Sequence, residues 1–498
     1  MNWRLFLLFF SASLACLFLL FSPVVSTPYV THDSVRFFHK FFNSDSSASI
    51  YIQRQWLYDL GRPIAGETES FVFRHVNHLS DLSLARTAAV FLMALSAALL
   101  ATILASRGMA AVPAFCLSVI TFSLPGIQEA VFIPYLYHSV AVLLAMLAYS
   151  VWCSRWHAAL RLIAAPLLLL AAFCTYSPIA FLFLLPAAAA AILDSDWPST
   201  KRILRSDILL CILTFALYLL LVKYLLYKSA NLTTAYQADF AAGHIWQRSI
   251  EFLTQGLPIM FNLWQDAPAS FVGGILAVFL PLAWLVQNVR RKDSTLQRLL
   301  PIIAILLFIN ITWFISKTGP YLRLFTASQA IIVMLLFWCG KRIVQKFGKE
   351  SEAFHASWPI GLMLVTMLSA HAATSNNVWN ANAELMFVRS RLLPHINSSI
   401  QEIRIIQPKN DHRQYNGSPL ANDEYNRTTG NFDYEVPDLV RTALQGLFSP
   451  TEMHCNVNVV PYGTRQPWAG PDTIVADLND LMLIADWPGR RKHAADGS

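Results

Sequence analysis

The chain has 498 residues, of which 55% are hydrophobic and 13% are charged, and its formal net charge is +7. Soluble proteins carry about 25% charged residues, so this composition excludes a large water-facing surface and predicts a membrane protein. Lys and Arg lie in short clusters between apolar runs. That pattern is typical of cytoplasmic loops in a polytopic protein and argues against nucleic acid as a partner.

The first apolar run follows Arg4 and is about twenty residues long, which suits an uncleaved membrane span better than a cleaved signal peptide. Further apolar runs of similar length follow along the chain. Together they predict a polytopic α-helical membrane protein with about eleven transmembrane helices. The later runs are 86–105, 109–125, 132–152, 159–175, 178–193, 207–226, 268–287, 299–315, 322–340 and 358–374.

Basic residues occupy alternate connections between these runs, including Arg107, Lys201 and the segment 340–349. The positive-inside rule assigns those connections to the cytoplasm. The opposite face, which is periplasmic in a bacterial inner (plasma) membrane, then receives the outer loop 27–85 and everything after about residue 375.

Composition changes after residue 374. Residues 1–374 are predicted to form the transmembrane module, whereas 375–498 are polar and rich in Asn, Asp and Pro. The tail contains the strand-like runs "EIRIIQP", "CNVNVVPYG" and "DLMLIAD", and "ELMFVRSRLLPHI" ahead of them has helical periodicity. We therefore expect a small C-terminal α/β or α+β extracytoplasmic domain.

The outer loop begins with "THDSVRFFHKFF", which places Asp33 just beyond the first span, and Asp45 follows. Two roles suit Asp33. It can cap a helix that lies on the membrane surface, since Asp accepts backbone N–H groups at helix starts. It can also take a proton from an acceptor hydroxyl beside a membrane-embedded site.

The segment "LPGIQEAVFIPYLYH", 124–138, is expected to join two spans at their outer ends and contains Gln128, Glu129 and His138. Glu129 is either solvated in a short turn or part of a site. Tyr135 and Tyr137 are expected in the interfacial aromatic belt.

The segment "SKTGPYLRLFTASQ", 316–329, places Lys317 and Arg323 on the face that the positive-inside rule leaves poor in cations. A cation at membrane depth is costly unless it is paired or snorkels to the interface. Snorkelling suits Lys317. For Arg323 we favour phosphate recognition, because a guanidinium can bind phosphate oxygens in a bidentate way.

The sequence lacks a phosphate-binding Gly loop, a nucleophile elbow and an HExxH motif, which argues against an ATP or nucleotide-sugar user. Instead, "W..DLGRP" and "LSDLSLAR" before the second span resemble the GtrII-like glucosyltransferases, integral membrane enzymes of the GT-C class. Further matches over roughly 1–390 are "LPGIQEAVFIPYLYHSVAVLLAMLAY", "YSPIAFLFLLPA" and "GPYLRLFTASQ".

The resemblance implies a GT-C-like fold and inverting transfer of a hexose, which is glucose in this family, from a polyprenyl-phosphate donor. The implied acceptor is a cell-surface glycan such as O-antigen or lipopolysaccharide, and membrane lipids surround the protein. The family often has two adjacent acidic residues in the first outer loop, where this chain has His32 and Asp33. Asp33 then acts as the base, alone or with Asp45.

In this interpretation Arg323, helped by Arg62 or Lys317, stabilises the departing phosphate. Gln128, Glu129 and His138 complete the expected substrate-binding residues. Some GT-C enzymes use a divalent metal such as Mg or Mn, but the sequence shows no evident carboxylate pair to hold one.

Two other classes of function fit a chain with many spans. A transporter or flippase of lipid-linked or small solutes predicts ionisable residues at the bilayer midplane and an inverted repeat. An assembly protein would present the C-terminal domain and use the spans as an anchor. The sequence instead concentrates charges at the outer ends of spans, and the mid-span Asn310 is typical of a contact between helices.

Overall fold

The protein is mostly helical and has one small parallel sheet near its C-terminus. The computed structural model describes the following residues: 2–31, 54–76, 79–133, 135–154, 157–193, 197–228, 242–264, 295–315, 322–347, 352–396, 400–407, 436–444, 456–461, 464, 470, 472–478 and 480.

The helices between residues 3 and 228 pack around a continuous apolar core. In chain order they are α1 (Trp3–Leu20), α2 (Ser22–Ser26), α3 (Pro63–Phe73), α4 (Asp81–Ser106), α5 (Ala111–Thr121), α6 (Pro125–Phe132), α7 (Leu136–Trp152), α8 (Ala158–Ala180), α9 (Leu185–Leu193) and α10 (Trp197–Lys228).

The later helices complete the bundle. They are α11 (Ala242–Glu251), α12 (Leu257–Phe261), α13 (Thr295–Ile309), α14 (Ile311–Ile315), α15 (Thr326–Phe347), α16 (Glu352–Leu392) and, between the first two strands, α17 (Val436–Ala443).

Several helices are long and apolar enough to cross a membrane, which is compatible with a polytopic helical membrane protein. Among the described residues six segments qualify, or seven if the bent pair α5 and α6 forms one span. The shorter helices Leu136–Trp152 and Pro301–Ile315 are also apolar, and the predicted span 268–287 lies outside the described residues. The expected total of about eleven therefore stays a prediction.

The predicted runs 159–175 and 178–193 belong to one helical segment, Ala158–Ile192, that folds back at Tyr176. Tyr176 has φ −156° and ψ 99°, which is not helical. The rings of Phe173 and Phe181 lie 5.1 Å apart, although residues eight apart in a straight helix are separated by about 12 Å along the axis. The chain consequently reverses direction close to Tyr176, and Pro178 follows this break.

The predicted span 109–125 is not one straight helix. Helix α5 ends at Thr121, and α6 begins at Pro125 and is bent by 58° from α5. Proline is favoured in the first turn of a helix because it has no N–H group to satisfy there. The stretch expected as a short outer turn is thus a buried helix.

Helix α16 is 41 residues long and continues past the composition change, so the boundary predicted after residue 374 lies inside it. The helix predicted from "ELMFVRSRLLPHI" is confirmed as far as Leu392, where α16 ends.

Three parallel strands follow in the order β2-β1-β3: β1 (Glu402–Ile406), β2 (Asn456–Val460) and β3 (Thr473–Asp477). The strands predicted from "EIRIIQP" and "CNVNVVPYG" are confirmed as β1 and β2. The third strand forms from "TIVAD" rather than from "DLMLIAD", most of which lies outside the described residues. The sheet packs on the end of α16, where Arg391 forms a 3.0 Å ion pair with Asp480.

Candidate functional site

Four of the residues predicted to bind substrate meet at one end of the bundle. Arg62, Glu129, His138 and Arg323 come from distant parts of the chain and lie near one another. With Glu69, Tyr137 and Tyr176 they form what we call the Arg323 cluster. Asp33, Asp45 and Lys317 lie outside the described residues.

A glycine turn places Arg62. Gly61 has φ +73°, a conformation that glycine adopts without strain. Its N–H donates to the Tyr58 carbonyl and the Arg62 N–H donates to the Leu57 carbonyl, both at 2.9 Å, which is the Schellman arrangement that ends a helix. A Cβ on Gly61 would also come within 2.9 Å of Val222. The "DLGRP" motif thereby ends one helix against α10 and starts α3 directly after Arg62.

Arg323 is held by Glu129. The backbone N–H of Arg323 donates to Glu129 Oε2 at 2.8 Å, and its guanidinium Nη1 lies 3.2 Å from Glu129 Oε1. Glu129 is fully buried and the Arg323 side chain is 11% exposed. The carboxylate therefore sets both the position and the charge balance of Arg323, and the solvated role considered for Glu129 is wrong. Snorkelling of Arg323 is excluded as well.

His138 lies among aromatic rings. Its imidazole centroid is 4.2 Å from the ring of Tyr137 and 4.6 Å from that of Tyr176. The Arg62 guanidinium lies 4.7 Å from the Tyr176 ring centroid, a cation–π arrangement. His138 interacts electrostatically with both Arg323 and Arg62, so the imidazole lies close to both guanidinium groups.

Glu69 is a member of the cluster that the sequence reasoning missed. It is 3% exposed, and its Oε1 accepts the backbone N–H of Tyr137 at 3.4 Å. Burial raises the pKa of its carboxyl from the ordinary 4.5 to about 8, and backbone N–H groups of Tyr137 and Leu136 only partly oppose this. The sequence gives no local signal for this burial, because Glu69 lies in the polar segment "AGETES" and Arg62 precedes α3.

Tyr135 and Tyr137 do not lie in an interfacial belt. Each is 4% exposed, because α6 turns the chain into the bundle before α7 begins. Tyr137 interacts electrostatically with Arg62, Arg323 and Glu69, which makes it an interior residue of the cluster.

Gln128 supports the local backbone. Its side-chain amide donates to the Ser123 carbonyl at 2.7 Å. Gln329 has a similar role, because it accepts the Gly126 N–H at 3.3 Å and donates to the Ile259 carbonyl at 3.1 Å. The two amides stabilise the bend ahead of Glu129.

Several buried polar atoms in this region have no hydrogen-bond partner within the described structure: Glu69 Oε2, Gln128 Oε1 and both ring nitrogens of His138. Buried polar groups are normally satisfied, so such a group of atoms is expected where a polar ligand binds. The described residues contain no group of three His, Cys, Asp or Glu side chains suited to a metal ion.

Comparison with known proteins does not assign the chain to a family. No family model matches its sequence, and no curated protein matches it significantly.

Proposed function

We propose that the protein transfers a hexose from a polyprenyl-phosphate donor to a glycan acceptor at the predicted outer face of the membrane. The observation that supports this proposal most is the convergence of Arg62, His138 and Arg323 at one end of the bundle. The resemblance of the "DLGRP" and "GPYLRLFTASQ" segments to GtrII-like enzymes points the same way, and glucose is the hexose that it suggests.

The charge of the Arg323 cluster suits a phosphate. Two guanidinium groups stand against one carboxylate, Glu129, because the raised pKa of Glu69 leaves that group mostly protonated near pH 7. Arginine binds phosphate oxygens through paired N–H groups. A lipid phosphate held there could extend its hydrocarbon tail between the spans.

In the proposed reaction the oxygen of an acceptor hydroxyl attacks the anomeric carbon and forms the new glycosidic bond. The bond between that carbon and the phosphate oxygen breaks, and the electron pair leaves with the polyprenyl phosphate. The hydroxyl proton passes to a carboxylate, for which Asp33 is the candidate. Arg323 and Arg62 stabilise the charge that develops on the phosphate, an effect that is commonly the largest in catalysis.

The described residues that precede Asp33 lie beside the Arg323 cluster. Tyr29 donates its hydroxyl to the Phe132 carbonyl at 2.8 Å, and the two rings stack with centroids 5.0 Å apart. Phe132 ends the helix that carries Glu129. This contact is compatible with a base near the phosphate.

A vesicle assay tests the proposal. Membranes containing the full chain receive radiolabelled polyprenyl-phosphate glucose, and transfer to endogenous glycan is measured for the wild type and Asp33→Asn. We expect the variant to lose about 100-fold or more in rate. Asp45→Asn, measured in parallel, tests whether Asp45 shares the role of the base. Undiminished transfer by well-folded Asp33→Asn contradicts the assigned base. If no donor is consumed while a labelled solute crosses the vesicle membrane, the protein is a transporter.

A further inference from the structure

A second group of buried polar side chains lies on α16, away from the Arg323 cluster. Asn377 and Asn380 are 2% and 1% exposed, and Glu384 is 1% exposed. Their spacing of three and four residues places all three on one face of the helix. We call this the Asn face.

The Asn face interrupts an apolar packing surface. Ala370 and Ala373 precede it on the buried side of α16, and Val388 and Leu392 follow it. A helix that only packs against neighbours would continue with apolar side chains at these positions.

Three of the four polar side-chain atoms of Asn377 and Asn380 have no hydrogen-bond partner within the described structure. They are Asn377 Oδ1 and both polar side-chain atoms of Asn380. Most buried polar side-chain atoms in folded proteins do have one. These three unsatisfied atoms on one buried helix face therefore indicate a ligand.

The position of the Asn face is beyond the end of the first span. His371 Nδ1 lies 3.0 Å from the carbonyl oxygen of Leu20, where α1 ends. At 1.5 Å per residue, Asn377 and Asn380 lie about 9 and 14 Å farther along α16. This helix also contacts α2 and α6, and α6 carries Glu129. The Asn face thus lies at the same end of the bundle as the Arg323 cluster.

We infer that the Asn face binds a neutral, hydroxyl-rich saccharide, and, resting on the proposed function, that this saccharide is the glycan acceptor. A side-chain amide both donates and accepts hydrogen bonds, as does each sugar hydroxyl, and the two amides add no charge that would select a phosphate.

Binding is measured with the full chain in detergent on an array of polysaccharides released by mild acid from bacterial lipopolysaccharides. We expect wild type to bind members of the array, and Asn377→Leu with Asn380→Leu to weaken that binding at least tenfold. The melting temperature of the double variant should be unchanged or higher, since replacing unpaired buried amides by apolar groups of similar volume removes a desolvation cost. The single Asn380→Leu variant provides a second measurement if the double variant unfolds.

Asn376→Leu is the matched control, because it makes the same change one residue before Asn377 at a side chain that is exposed. Equal binding by wild type and a folded Asn-face variant overturns the inference, as does wild type that binds no polysaccharide on the array. Release of glucose from the lipid donor, measured in parallel, separates the two proposals. If the Asn-face variants lose glycan binding but the wild type uses no donor, the assignment of the Asn face stands and the proposed transferase activity is contradicted.

Discussion

The two ends of the bundle contain polar clusters of opposite character. At the end opposite the Arg323 cluster, Asp207 accepts the Tyr149 hydroxyl at 3.1 Å and the Trp152 indole N–H at 2.8 Å. Arg107 donates in turn to the Tyr149 hydroxyl. We call these four residues the Asp207 cluster. His138 and Tyr149 are eleven residues apart on α7, which separates the clusters by about 16 Å along that helix.

The difference between them is in hydrogen bonding. In the Asp207 cluster no buried side-chain nitrogen or oxygen of the four described residues lacks a partner, whereas Glu69 and His138 of the Arg323 cluster retain such atoms. A fully satisfied buried network stabilises and specifies a fold. An incompletely satisfied one reduces stability unless a ligand completes it, so burial of charge alone does not distinguish a structural cluster from a binding site.

The largest expected effect is that of Arg323→Ala. Removing a group that stabilises developing charge commonly costs 100- to 1000-fold in rate, and we expect a loss of about that size in the donor transfer assay. The variant should also unfold more easily, because it leaves Glu129 buried without its cation, an effect of about 3–5 kcal/mol.

Glu129→Gln combined with Arg323→Gln separates the two effects, since it removes both charges together. Its melting temperature should recover towards that of the wild type while transfer stays absent. Transfer that returns together with stability would show that Arg323 has only a structural role.

Asp207→Asn should produce the opposite result. In the wild type the Tyr149 hydroxyl and the Trp152 N–H each donate to an Asp207 carboxylate oxygen. In the variant one of these donors faces an amide N–H group. Hydrogen bonds to charged groups contribute about 1.5–3 kcal/mol each. We expect a lower free energy of unfolding in denaturant titration and an unchanged transfer rate per folded molecule. Inactive protein of wild-type stability would show that the Asp207 cluster is functional.

His138→Phe tests the unpaired imidazole nitrogens. Phenylalanine preserves the ring contacts with Tyr137 and Tyr176 but forms no hydrogen bonds. We expect a transfer rate about 10- to 100-fold lower, on the scale of a lost hydrogen bond to a charged group, with equal or higher thermal stability. Tyr149→Phe is the matched change at the other end and should lower stability alone. A destabilised His138→Phe would assign the imidazole to packing.

The smallest effect is a pH dependence from Glu69. Its pKa in the folded protein is about 8 against an ordinary 4.5, so the folded state retains the proton more strongly. The resulting stabilisation is fully present below about pH 4.5 and is lost as pH rises through about 8. The melting temperature of wild type should therefore fall relative to that of Glu69→Gln between pH 5 and 9.

Glu67→Gln is the control for that measurement. Glu67 is exposed, and hydrogen bonds from Tyr58 and Arg54 lower the pKa of its carboxyl despite some desolvation. It should not reproduce the trend. Parallel melting curves for wild type and Glu69→Gln across this range would contradict the raised pKa.

The parts of the fold that follow from local pattern could be predicted. The lengths of apolar runs predicted α1 and α4, and short strand-like runs predicted β1 and β2. These patterns are local, because the residues of a helix or strand define the face that it buries. The bend before Pro125 and the reversal of the chain at Tyr176 were not predicted. Both depend on how neighbouring helices accommodate a chain that remains apolar across the break.

Some residues of the candidate site could also be identified from the sequence, and others could not. Glu129, His138 and Arg323 were identifiable as polar groups near predicted span ends, and Arg62 came from the resemblance of the "DLGRP" segment. Glu69 was not, because a glutamate in "AGETES" becomes a buried acid only when α7 packs over it.

The sequence by itself determined that this protein is helical and apolar and that its charges lie near the ends of helices, because these properties depend on neighbours along the chain. Only the tertiary structure decided which charges meet. It paired Arg323 with Glu129, left His138 among aromatic rings and buried the Asn face. The physical reason is that desolvation and hydrogen bonding depend on groups hundreds of residues away, whose approach no local pattern encodes.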